Sequence, residues 1–170
     1  MIGVVMEQRR VVRRVADGWE GVEREGYVPG VATAVERHTL IGGRKEAPAD
    51  AGPSQEVRYF SLPPQTVTRL EKHEHEHFVI VGEGEGHAIV GNAVRTVRER
   101  DVVYVAPWEP HQFVNRGSQT FGFFCVVSSV RDFSQELDPA ELERLLASPA
   151  GEFVDPHGAP PPRAASAAKP

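Results

Sequence analysis

From residue 31 to residue 130 the chain is written almost entirely in short β-prone runs, each closed by turn residues. The runs are Val31 to Leu40, Val57 to Leu62, Thr66 to Leu70, His77 to Val81, His87 to Val90, Val94 to Val97, Val102 to Val105, Gln112 to Asn115 and Phe121 to Val130. Breaks fall at Pro63-Pro64, at Gly82-Glu83-Gly84-Glu85-Gly86, at Gly91-Asn92 and at Arg116-Gly117-Ser118. Roughly nine short strands at this spacing imply an all-β antiparallel sandwich or barrel rather than an α/β fold. Gly91-Asn92 between two such runs is a two-residue hairpin signal. Gly82-x-Gly84-x-Gly86 has neither the following helix nor the lysine of a phosphate loop, so it reads as a hairpin connection. No internal repeat is present.

The ends are looser. Residues 1–30 read as an N-terminal extension, 31–135 as the β-domain, 136–150 as a C-terminal helix and 151–170 as a disordered tail rich in Pro, Ala and Ser. The helix has a capping residue in Asp138, a proline suited to the first helical position in Pro139 and Glu141 three after the cap; Leu142, Leu145 and Leu146 form its apolar stripe. It is expected to pack on the outside of the domain or against a partner subunit. Lys45 to Gln55 is poor in core residues and reads as a surface loop.

Charge and composition narrow the function. A net charge of -5 with a pI near 5.8 argues against a nucleic-acid-binding surface, and the basic stretch Arg9-Arg10-Val11-Val12-Arg13-Arg14 reads as a solvated face. No apolar run approaches the ~20 residues of a membrane helix, and the N-terminus lacks the pattern of a signal peptide. Cys125 is the single cysteine. It excludes an internal disulfide, fits a cytoplasmic setting, and lies in so apolar a strand that an inert buried thiol is expected.

Of the 7 histidines, His73, His75 and His77 fall at every second position and His111 follows in Pro107-Trp108-Glu109-Pro110-His111. Along a strand, alternate side chains share a face, and imidazoles gathered on one face are a nest for a divalent metal. A straight strand would nevertheless separate the Cα atoms of His73 and His77 by ~13 Å. Either the chain turns within the run or one histidine is not a ligand. Glu74 and Glu76 fall on the opposite, solvent-facing side, and His38, His87 and His157 are expected to be exposed. Phe78, Tyr104, Trp108 and Phe113 are expected in the core or in a pocket wall.

The segment from about Val57 to Val130 resembles a cupin, a small double-stranded β-helix or jelly-roll barrel. His73-Glu74-His75 ahead of a glycine-bearing turn resembles the first cupin motif, and His111 with Asn115 four residues on resembles the second. The resemblance implies a single-domain barrel, a metal site and frequent pairing into homodimers. Two registers fit. One makes His73, His75 and His111 ligands, with His77 replacing the expected glutamate, whose slot falls at Val79 or Ile80. The other uses Glu71, His73, His77 and His111, with His75 behind them.

Such a mostly histidine site suits Fe, Mn, Ni, Co, Cu or Zn. Neutral ligands leave the metal its full charge, which favours an anionic or bidentate oxygen substrate: an organic acid, phenolic compound or enediol. The expected function is that of a metal-dependent cupin enzyme on such a small molecule, foremost a dioxygenase. The alternatives are an isomerase, lyase or hydrolase using the same pocket, or a cupin that binds a small ligand without catalysis.

Overall fold

The computed structural model describes residues 11–27 and 34–158. Its strands are β1 (Arg14–Val15), β2 (Gly18–Trp19), β3 (Glu25–Gly26), β4 (Glu36–Ile41), β5 (Gln55–Leu62), β6 (Thr66–Val67), β7 (His77–Glu83), β8 (Glu85–Val90), β9 (Ala93–Arg98), β10 (Val102–Val105), β11 (His111–Asn115) and β12 (Phe121–Ser128), followed by helix α1 (Pro139–Leu146). All strand pairs are antiparallel, in a six-stranded sheet of order β10-β7-β12-β5-β4-β3 and a four-stranded sheet of order β6-β11-β8-β9, with β1 and β2 as a separate hairpin. The two sheets face each other as the jelly-roll expected of the sequence.

Side-chain alternation explains how the sheets close. In β7 the odd positions Val79 and Val81 point inward, whereas Phe78 and Ile80 point out. Val79 and Val81 join Phe60, Leu62, Ala88, Val97, Phe113, Phe121, Phe123, Cys125 and Val127 in one core between the sheets. In β11 every residue is buried. Phe113 faces that core, while Val114 faces a second one with Ile89, Leu145 and Ala150. Thus α1 seals the outer face of the four-stranded sheet. Its start is fixed as the sequence implies, with a reciprocal capping box between Asp138 and Glu141 and Pro139 in the first turn.

Several expectations change. The Gly82–Gly86 run is not a hairpin: β7 pairs with β10 and β12, β8 with β9 and β11, so the chain crosses from one sheet to the other at Gly84. Gly84 has φ +69, and a Cβ there would lie 2.2 Å from the Thr120 carbonyl oxygen; only glycine lets the crossing pass this close. Gly91-Asn92 does form the β8–β9 turn, with Val90 opposite Ala93. His38 is buried rather than exposed, beneath the β1–β2 hairpin and beside Tyr59. Phe78, Tyr104 and Trp108 are about half exposed and lie in neither core, Phe78 instead taking its other expected place in a pocket wall.

Of the expected tail, residues 159–170 lie outside the described residues. Asp155 is tied to the barrel by paired bonds with the Gln112 amide at 2.8 and 2.9 Å. In the basic stretch, Arg9 and Arg10 also lie outside the described residues, while the Arg14 guanidinium donates to the carbonyls of Val15 and Gly18 in its own hairpin. Among the described residues no helix is long and apolar enough to cross a membrane.

Candidate metal centre

β7 begins only at His77, and the chain bends at Glu74 and His75. The histidine run is therefore not a straight comb. The bend is held from outside by Asp132, which follows β12. Its carboxylate accepts the N–H of Glu74 at 2.7 Å, the N–H of His75 at 3.1 Å and the Nδ1–H of His75 at 2.6 Å. Burial alone would raise the Asp132 carboxyl, but these three donors bring its pKa down to about 2. Burial lowers His75 to about 4 despite the carboxylate beside it.

The bend brings His73 back over His77. Their Nε2 atoms lie 2.8 Å apart. His111, from β11 of the other sheet, completes the group, its ring centroid 4.8 Å from that of His73 and 5.0 Å from that of His77. One nitrogen of each ring lies within 4.8 Å of the others, and all three side chains are buried. Backbone carbonyls choose the tautomers. His73 Nδ1 is 2.7 Å from the oxygen of His75, and His111 Nδ1 is 2.9 Å from that of Glu109. A carbonyl can only accept, so both rings carry the proton on Nδ1 and leave the Nε2 lone pair free. Burial lowers the pKa of all three; like-charge repulsion from His111 adds to it at His73 and His77.

This arrangement fits a divalent transition metal. Two imidazole nitrogens bound at about 2.1 Å and at right angles stand ~2.9 Å apart, close to the His73–His77 separation found. Carbonyl bonds on the far nitrogens are also how metal-bound imidazoles are oriented. His73, His75 and Asp132 form a second group within the same distance limit; the His75 ring stacks on His73 at 3.6 Å and 9°.

Of the two registers, the structure thus groups His73, His77 and His111 and sets His75 beside them on Asp132. Glu71 is joined to His111 through the backbone at 3.0 and 3.2 Å, and its carboxylate accepts from the Tyr27 hydroxyl at 3.4 Å. Asn115 is a turn organiser: its amide donates to the carbonyls of Leu62, Pro63 and Gln119. The turn before His111 is anchored to the first motif by Trp108, whose N–H donates to the His73 carbonyl at 2.7 Å from a left-handed backbone of φ +63.

Behind His77 lies a buried polar layer. Cys125 Sγ is 3.1 Å from His77 Nδ1 and 3.3 Å from Arg58 Nη2. The thiol is buried, as expected, and burial pushes its pKa up although Arg58 pulls it down. Arg58 stands 3.6 Å from Glu56, which also pairs with Arg131 at 3.1 Å, all three side chains nearly solvent-free. Two guanidinium groups against one carboxylate leave this layer positive. Asp132, Arg58 and Tyr27 are the site residues that reading the sequence missed. Arg58 alone left a signal: Glu56 and Arg58 share the inward phase of Phe60 and Leu62. Asp132 left none, since nothing local links it to a bend 57 residues earlier.

A pocket of about 550 Å³ opens beside this centre, lined by His75, Glu74, Glu76, Phe78, Pro107 and Val126 among others.

The Cupin domain family matches residues 58–127, the span that holds all four histidines of the centre and the strands around them. The chain is 36% identical over 143 residues to 1-methylthio-D-xylulose 5-phosphate methylsulfurylase from Rhodospirillum rubrum, covering 81% of this chain and 86% of the relative. A cupin-2 domain protein of known structure from the same organism superposes with a TM-score of 0.70 at 33% identity, over 83% of this chain and 93% of that one. A cupin 2 conserved barrel domain protein from Rhodopseudomonas palustris gives 0.72 at 28% identity, over 85% and 98%. With the barrel, the two histidine motifs and these relatives in agreement, the chain belongs to the cupin superfamily.

Proposed function

We propose that this cupin is a metal-dependent enzyme acting on a small phosphorylated ketose with a methylthio substituent next to its carbonyl, the substrate type in the name of its relative from Rhodospirillum rubrum. The observation that supports the metal-dependent part is the convergence of three imidazoles from both sheets, with the tautomers of His73 and His111 set by two backbone carbonyls. A divalent metal held there supplies Lewis acidity to a ketone or enediolate oxygen. His73, His77 and His111 contribute no negative charge, and Arg58 adds a positive one behind His77, so the chain's own residues favour an anionic substrate. Asp132 keeps His75 fixed at the wall of the adjoining pocket.

Dioxygenase chemistry is the second reading, favoured by a set of three imidazoles that leaves coordination positions open. One experiment separates the two. Purified protein is loaded in turn with Mn, Fe, Co, Ni and Zn, and 1-methylthio-D-xylulose 5-phosphate turnover is followed with and without O₂ beside His111→Ala. With an added small thiol as co-reactant, the proposal expects anaerobic turnover in which the C1–sulfur bond breaks, C1 takes up a proton and the CH3S group leaves as the mixed disulfide with the thiol, at least ~100-fold slower in the variant. Turnover that consumes O₂ supports the second reading. Equal metal content in wild type and variant overturns the site itself.

A further inference from the structure

His77 is the one ring of the centre whose far nitrogen faces a thiol instead of a backbone carbonyl. Strand register puts the thiol there. Cys125 of β12 lies opposite Arg58 of β5 and opposite Val79 of β7, two residues past His77. His77, Cys125 and Arg58 therefore share the inward phase of three adjacent strands, and all three are buried. The sulfur stands 3.1 Å from His77 Nδ1 on one side and 3.3 Å from Arg58 Nη2 on the other.

The other ring nitrogen is also constrained. His77 Nε2 is 2.8 Å from His73 Nε2, and His73 already carries its proton on Nδ1, bonded to the His75 carbonyl. Two bare lone pairs at this distance repel, so the contact needs either a proton or a cation. A neutral imidazole has a single proton for its two nitrogens. Without a metal, His77 carries it on Nε2 and donates to His73, which leaves Nδ1 to accept the Cys125 S–H. With both Nε2 atoms on a metal, the His77 proton sits on Nδ1 and the sulfur becomes the acceptor.

We propose that Cys125 is the positioning residue of this third ligand, a partner that donates to His77 when the centre is empty and accepts from it when the centre is loaded. A backbone carbonyl can only accept and would suit the loaded state alone. A thiol does both by turning its hydrogen about the Cβ–Sγ bond. The protons balance: one leaves Nε2 on loading and one is taken up at Nδ1, so His77 is neutral in both states. Arg58 holds the sulfur in reach from the opposite side. Its Nε has no hydrogen-bond partner, and among the described residues the one hydrogen bond its side chain makes goes to this sulfur. His73 and His111 are thus locked for binding by carbonyls, and His77 is the ligand that adjusts. The role of Cys125 rests on the metal centre of the proposed function and not on its substrate.

The test uses the full chain with isotope-labelled histidine rings, above neutral pH, in long-range proton–nitrogen correlation spectra that tell the two tautomers apart. In the metal-free protein His73 and His111 are expected to carry the proton on Nδ1 and His77 on Nε2. On addition of Zn, His77 is expected to change to Nδ1 while the other two keep theirs. In a parallel arm Zn affinity is measured for Cys125→Ser, which still donates and accepts, and for Cys125→Val, which fills a similar volume and does neither. The serine variant is expected to bind within ~3-fold of wild type and the valine variant ~10–100-fold more weakly. His77 protonated on Nδ1 without metal overturns the proposal and needs no variant to fold. So does a folded Cys125→Val that binds Zn as tightly as wild type, or a His77 that keeps its tautomer on loading. A wild type that takes up no Zn at these histidines overturns the metal centre itself, and the role of Cys125 with it.

Discussion

Removing the Asp132 carboxylate frees three donors at once: the N–H groups of Glu74 and His75 and the His75 ring. Because it reaches the metal centre only by fixing the bend that turns His73 onto His77, Asp132→Ala should leave the fold intact and loosen the ligand set. Metal affinity is expected to fall ~10–100-fold, the usual cost of removing an orienting partner. Asp132→Asn, which keeps one acceptor oxygen, should fall between. Isothermal titration with Mn or Zn decides it, and unchanged affinity in both variants would dismiss the orienting role. His38 offers a second test. Burial holds it below the ordinary imidazole range, although Glu36 opposes this, and its Nδ1 has no partner. The folded chain therefore protonates this ring at a lower pH than the unfolded chain, which does so near pH 6.5. The unfolded state then binds more protons, so this group's contribution to stability is present above about pH 6.5 and lost as the pH falls. His38→Phe should show a smaller drop in urea midpoint between pH 7.5 and 5.5 than wild type. An equal drop would mean that His38 titrates alike in both states.

At the scale of elements, the strands were legible because their alternation is in the sequence. Val102–Val105 is the strand the pattern predicts, and β7, β8, β9, β11 and β12 depart from their predicted bounds by a few residues. Thr66 to Leu70 shortens to β6, since the Thr68 hydroxyl accepts the Phe113 N–H at 2.9 Å instead of continuing the ladder. The sheet to which a strand belongs was not legible. A glycine turn reads the same whether it closes a hairpin or crosses between sheets, which is why the Gly82–Gly86 run was misjudged. The two kinds of turn should separate on mutation. At Gly84 an added Cβ meets the Thr120 carbonyl at 2.2 Å, whereas at Gly91 (φ +56) it meets only the flexible end of Glu109 at 3.0 Å. Gly91→Ala should cost about 1 kcal/mol for its left-handed backbone. Gly84→Ala adds a backbone clash and should cost about 3 kcal/mol. Urea unfolding of the two variants measures this, and equal losses would show that the crossing relaxes freely.

For the whole molecule, the histidine centre is also a clasp. His77 belongs to the six-stranded sheet, His111 to the four-stranded sheet, and His73 to the bend between them. A ligand that binds only the folded chain stabilises it by mass action, ~2.7 kcal/mol at a free concentration 100 times its dissociation constant. In a chain of 170 residues each kcal/mol moves the midpoint by roughly 2–4 °C. Stripping metal with a chelator should therefore lower the thermal midpoint by roughly 5–10 °C, and re-addition of Mn or Zn should restore it. His111→Ala, which cuts the link to the four-stranded sheet, should abolish most of that shift. His157→Ala, at an exposed histidine away from the centre, should keep it in full. A chelator shift of the same size in His111→Ala would place the stabilising ion elsewhere and remove the clasp from the account of how the two sheets are held.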